Sequence, residues 1–189
     1  MRRLLLALTL LVSTSAAFAQ SNKTPRPLTP FDFVLPDGQK MNLANYKGKV
    51  CVVEFLFTTC PHCQQTAAVM RELNRELGPK GFQPIGVAFN DGAMMLVPDF
   101  VKNTGANYPV GIAAREKVIP YLGHSLTARL MVPQVIIVDK KGMIRYQSSL
   151  DGSDHLHEPA RLKQIVTELL AEPAAGGTAK KAGASTSKK

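Results

Sequence analysis

Residues 49–57 read KVCVVEFLF, an apolar and β-branched run broken by one acid, Glu54, and followed within three residues by Cys60-Pro61-His62-Cys63. A short run this apolar is the pattern of a strand buried on both faces, which requires helices packed above and below a sheet. Beyond the cysteines the apolar residues take up helical spacing. Ala67, Met70 and Leu77, with Val69 and Leu73 beside them, form one stripe, and Gly78-Pro79 ends it. The cysteine pair therefore falls where a buried strand hands over to a helix.

That placement has chemical consequences. The first amide groups of a helix have no partner within it, and the helix dipole favours an anion there, so Cys60 stands where a thiolate is stabilised. Pro61 suits the first helical position because its missing N–H would go unused. His62 brings a donor or a positive charge beside the sulfur. Cys63, one turn on and on the same side, is placed to resolve a disulfide made by Cys60. A C-x-x-C pair also occurs in zinc sites, but those usually need a second pair, and Cys51 is the only other cysteine.

The rest of the body alternates strands and helices. Residues 31–35 and 41–43 flank the turn Pro36-Asp37-Gly38. A strand is expected over 83–89, a helix over 96–103, a short strand over 108–112, and a helix over 115–122 bent at Pro120. Residues 134–139 and 143–148 make a hairpin through Lys140-Lys141-Gly142, and a helix over 159–171 closes the domain. The fold class is α/β, a mixed central sheet flanked by helices on both faces, with an N-terminal β-hairpin and a central helix-strand insertion.

The ends differ in kind. Residues 1–19 read as a signal peptide: Arg2 and Arg3, an apolar stretch over 4–12, then Ala17-Phe18-Ala19 with cleavage near Ala19-Gln20. The apolar stretch falls short of the roughly 20 residues that cross a bilayer comfortably, and an uncleaved N-terminal anchor is the alternative. Residues 20–27 are read as a linker and 173–189 as a disordered Ala/Gly/Lys tail, leaving 28–172 as the folded domain. The formal charge of +9 lies mostly in the first 19 and last 17 residues, through Arg2, Arg3, Lys180, Lys181, Lys188 and Lys189, so only +3 remains for residues 20–172. No basic stripe argues for nucleic acid. Export would place the cysteines where disulfides persist.

The stretch from Val53 to Cys63 resembles the active-site strand and helix of the thioredoxin superfamily. Phe31 through Leu43, Lys47-Gly48-Lys49, the 91–122 insertion and Lys141-Gly142 resemble the TlpA/ResA group, of redoxin type. The Cys-Pro-His-Cys choice and Glu54 look like the DsbA oxidants instead. The resemblance implies a thiol-disulfide oxidoreductase of the cell envelope with a redox-active Cys60–Cys63 disulfide and no other cofactor or metal. It implies protein thiol clients, a redox partner that could be membrane-bound, and a monomer. It makes Glu54, six residues before Cys60, a buried acid that moves protons for the second cysteine. Independently, an acid in an apolar strand is costly unless its proton or a partner compensates. It makes Val132-Pro133 a cis-proline segment packed against the disulfide, with Val132, Pro133 and Thr59 meeting the substrate. Thr59 stands where the family has tryptophan. His62 and Val132 lean towards an oxidant, the TlpA-like body towards a reductant.

Two other functions fit the cysteines less well. A peroxidase of the redoxin type would carry threonine or serine where Phe57 stands and a proline near Val53 or Glu54. A metallochaperone would hold Cu(I) or Zn through Cys60, Cys63 and a histidine. Cys51 reads as a small core residue, and His155 and His157 as surface imidazoles before the last helix.

Overall fold

A computed structural model describes residues 23–173. The segment read as a signal peptide, 1–19, and nearly all of the tail at 173–189 lie outside the described residues. In chain order the elements are β1 (Arg26–Pro27), β2 (Asp32–Val34), β3 (Lys40–Asn42), β4 (Val50–Leu56), α1 (Pro61–Leu77), β5 (Phe82–Ala88), α2 (Ala93–Thr104), β6 (Val110–Ile112), α3 (Arg115–Tyr121), β7 (Gln134–Val138), β8 (Met143–Gln147) and α4 (Pro159–Ala171). Short 3-10 turns at Leu43–Tyr46 and Gly78–Lys80 supplement them.

The strands form one mixed sheet in the order β1-β8-β7-β4-β5-β6-β2-β3. β4 runs parallel to β5 and antiparallel to β7, and β5 runs parallel to β6. All seven residues of β4 are buried, as a central strand with both faces covered requires. Val50, Val52 and Leu56 pack under α1, α2 and α4, while Cys51, Val53 and Phe55 pack against Phe31, Phe33 and α3. By the two-residue alternation of a strand, Glu54 belongs to the α1 face.

Two residues make the interior strands possible. Pro84 sits in β5 without an amide hydrogen. The Gly86 amide donates to Pro109 O at 2.9 Å, and Pro84, two residues earlier, aims its missing donor past the start of β6. At Gly111 a Cβ would stand 2.6 Å from Phe33 Cδ2 and 2.7 Å from Val34 O, so only glycine lets β2 lie against β6.

The sheet takes in two residues of the segment read as a linker. Arg26 and Pro27 pair with Ile144 and Met143, and the Leu28 amide donates to Gly142 O at 2.8 Å. An outermost strand needs donors on one side only, so a proline-rich segment can serve there. Arg26 secures it, donating from Nη2 to Gln147 Oε1 at 2.8 Å and to Tyr121 O at 3.3 Å. The domain therefore begins before residue 28. Helix α2 starts at Ala93 rather than Leu96, because Gly92 at φ 70° turns the chain and its carbonyl accepts from the Leu96 amide. Helix α3 carries Pro120 inside its last turn, where the Leu122 amide still reaches Val118 O at 3.1 Å.

Candidate active site

Cys60 is the N-cap of α1, with extended backbone (φ −79°, ψ 122°) and Pro61 immediately inside the helix. The loop that delivers it is braced at each residue. Cys60 N donates to Phe57 O at 3.0 Å, Gln64 N to Cys60 O at 3.1 Å, and Gln64 Nε2 to Thr58 O at 3.0 Å. Thr58 donates from its amide (2.9 Å) and its hydroxyl (3.3 Å) to Asn90 Oδ1. The Thr58 hydroxyl thus bonds across to the segment after β5 rather than locally, and Asn90 is a supporting residue that sequence spacing does not reveal. The half-buried Cys60 Sγ donates to Val132 O at 3.7 Å.

Val132 is half-buried and Pro133 buried, joined by a cis peptide bond. Gln134 fixes this segment, donating from Nε2 to Met131 O (2.8 Å) and to Ser149 O (3.0 Å). Thr59 is exposed and lines a cleft of about 520 Å³ with Phe57, Phe89, Asn90, Leu96 and Arg115. Cys60, Cys63, His62, Pro61, Val132, Pro133 and Glu54 therefore converge on one end of the sheet, with Thr59 at the rim.

The second sulfur lies beneath the first. Cys63 is fully buried and hydrogen-bonded with the Cys60 side chain. Burial pushes its thiol far up, the Glu54 charge adds to this, and a hydrogen bond with the Phe57 backbone pulls the other way. Below it, Glu54 is also fully buried and neither carboxyl oxygen has a hydrogen-bond partner in the protein. Burial holds this carboxyl well above the usual range, and charge on Cys60 pushes it further. Tyr108 completes the buried layer. Its hydroxyl donates to Ala67 O of α1 at 3.3 Å, and burial, then the Glu54 charge, raise it. Only packing identifies Tyr108 as a neighbour of the acid.

Of the two histidines before α4, His155 is the exposed imidazole expected of it, and only the half-buried His157 departs from its sequence reading. His155 pairs with Glu158 at 3.0 Å, but the His157 ring faces that of His62, with centroids 6.4 Å apart. Cys51 lies on the opposite face of β4, away from the pair. Among the described residues no three His, Cys, Asp or Glu side chains gather in a group that could hold a metal ion, and no helix is long and apolar enough to cross a membrane.

A central sheet with a C-x-x-C pair capping the helix after its buried strand, faced by a cis-proline segment, defines a thioredoxin-fold dithiol protein. The chain belongs to the Redoxin family, whose model matches residues 11–166. It is 30% identical over 60% of its length to "Thiol-disulfide oxidoreductase ResA" of Bacillus thuringiensis (strain Al Hakam), and spans 63% of that relative. A solved thioredoxin-family thiol:disulfide interchange protein from Chlorobium tepidum TLS is 25% identical, with a TM-score of 0.64 over 80% of this chain and 100% of that one. A thiol:disulfide interchange protein from Bacteroides sp., 18% identical, shares the fold with a TM-score of 0.62 over 82% of this chain and 94% of that one.

Proposed function

We propose that this chain exchanges disulfides with protein thiols, Cys60 being the entering sulfur and Cys63 the resolving one. The observation that carries the reading is the stacking of the two sulfurs: one half-exposed at a helix N-terminus, the other buried in contact beneath it. In the oxidised protein a client thiolate attacks Cys60 Sγ, the Cys60–Cys63 bond breaks, and the second client thiol then displaces Cys60. In reverse, the Cys60 thiolate attacks a client disulfide and Cys63 releases the product. Cys63 must lose its proton to do so, and Glu54 is the adjacent base or acid that exchanges it.

The redox-active disulfide is the whole of the cofactor in this reading. The clients are proteins, read by Val132, Pro133 and Thr59 around Cys60, and a second redox protein, membrane-bound or soluble, resets the pair. The chain works as an exported monomer after its N-terminal 19 residues are cleaved, near Ala19-Gln20. His62 beside Cys60 favours the reduced form and so supports the oxidant direction. Equilibration with glutathione decides it: a potential near −120 mV is that of an oxidant, one near −270 mV that of a reductant. Peroxide chemistry lacks its hydroxyl where Phe57 stands, and metal carriage lacks a third converging ligand among the described residues.

The test of the exchange itself is Cys63→Ser. This variant is expected to accumulate mixed disulfides between Cys60 and client thiols, visible as adducts on non-reducing gels. Their absence overturns the assignment of roles.

A further inference from the structure

The loop between β8 and α4 folds back over the start of α1. Leu156 anchors it in the core that holds Ala67 and Met70. Asp154 ties it down, accepting from the Ser149 amide and hydroxyl and, at 2.9 Å, from the Leu156 amide. His157 is thereby held opposite His62, with the ring planes inclined at 68°. On one side of this pair lies a cleft of about 150 Å³, lined also by Met131, Val132, Pro133 and Asp151. It opens beside Val132, whose carbonyl accepts from Cys60 Sγ.

We propose that His157 is a second imidazole of the reactive site, and that the His62–His157 pair takes up the proton that Cys60 does not keep when the disulfide is reduced. The inference rests on the thiol-disulfide reading above. A client dithiol that becomes a disulfide gives up two electrons and two protons. The electrons break the Cys60–Cys63 bond. One proton goes to Cys63 Sγ, whose burial disfavours an anion, and the other passes from the Cys60 thiol, where it faces Val132 O, to the imidazole pair, leaving Cys60 as a thiolate. In the oxidised protein no thiolate lies beside the rings, and two facing imidazolium groups repel each other. In the reduced protein the thiolate offsets that repulsion. The reduced state binds more protons, so lower pH favours it.

The other groups facing His157 do not change with oxidation state. Asp151 lines the first cleft, and Glu158, paired with His155, lines a second one on the far side. From α1 come Gln65, Thr66 and Val69, and before β7 come Met131, Val132 and Pro133, all uncharged. The two carboxylates are the same in both states, which leaves the sulfur as the group that differs.

The experiment equilibrates the full chain with glutathione between pH 5.5 and 8, comparing wild type with His157→Phe and His157→Lys. At pH 5.5 His157→Phe is expected to lower the reduced-to-oxidised ratio about threefold to tenfold, the size of one partly screened charge interaction. At pH 8 the difference vanishes, while His157→Lys keeps the ratio raised. Parallel pH profiles for wild type and His157→Phe overturn the proposal. So does a wild-type profile in His157→Phe alongside an altered one in His157→Ala, since ring contact alone then matters. Should the phenylalanine variant fail to fold, His157→Gln carries the same expectation. A wild-type protein that never equilibrates with glutathione sinks the exchange reading instead.

Discussion

Strand β4 presents an ionisable side chain to each face of the sheet, Cys51 to one and Glu54 to the other. Both are buried, yet their surroundings differ in kind. The Cys51 thiol is pushed up to about 12 by burial, with Lys49 pulling the other way, and its proton faces Tyr46 O at 3.7 Å and Lys49 O at 3.9 Å. It is a satisfied neutral group in a sealed core of Phe55, Ile136 and Val138. Glu54 has no protein partner for either oxygen and interacts electrostatically with Cys60, Cys63 and Tyr108. Burial alone makes a group inert. Burial without a partner, beside two thiols, leaves a carboxyl that holds its proton without a fixed hydrogen bond.

The same contrast separates the cysteines. Cys60 leaves the sheet at a helix end with access to solvent, whereas Cys51 stays within the strand. Cys60→Ser is therefore expected to abolish exchange in an insulin-reduction or client-oxidation assay, the largest effect of any single change. Glu54→Gln ranks second. If Glu54 exchanges the Cys63 proton as proposed, its loss is expected to slow resolution by Cys63 about 100-fold in stopped-flow traces, within the usual range for general acid-base catalysis.

Glu54→Gln also tests stability. Because the folded carboxyl titrates above its unfolded counterpart, the folded state holds the proton more tightly, and stability falls as pH rises through the interval between the two. The glutamine variant lacks this loss. Its unfolding free energy is expected to exceed wild type by about 1–3 kcal/mol at pH 8, with the gap narrowing towards pH 4 in urea melts. A gap that widens on acidification contradicts a buried neutral acid.

Effects are smaller on the opposite side of the comparison. Asn90→Ala removes the acceptor for two Thr58 donors. It is expected to cost about 1–2 kcal/mol and to slow client reaction at Cys60 by loosening its loop. Cys51→Ala is expected to leave exchange rates unchanged and to cost no more than about 1 kcal/mol, since only one small buried atom is lost. A change in activity there breaks the contrast between the two faces.

Much of the fold was legible in residue order. The apolar run of β4, the proline at the start of α1 and the stripe beneath it fix the strand-to-helix handover locally, and α4 spans the residues that its pattern marks. The hairpin of β7 and β8 is set by the turn at Lys140-Lys141-Gly142. The pairing of Arg26–Pro27 with β8 carries no local signal, because an edge strand takes its hydrogen bonds from a partner far along the chain. Asn90 and Tyr108 were invisible for the same reason: each acts on a residue that only the sheet brings near. His155 and His157 look equivalent in sequence, yet one meets Glu158 and the other His62.

Sequence by itself determined where the dithiol lies and which secondary elements flank it, since helix caps, turns and burial periodicity are properties of neighbouring residues. Tertiary structure alone decided what surrounds the sulfurs and the residue between them: an acid left without a partner, a backbone carbonyl facing Cys60, and, opposite His62, an imidazole brought in from the last loop. Distance along a chain does not report distance in space, and the electrostatics of a buried site depend on the latter.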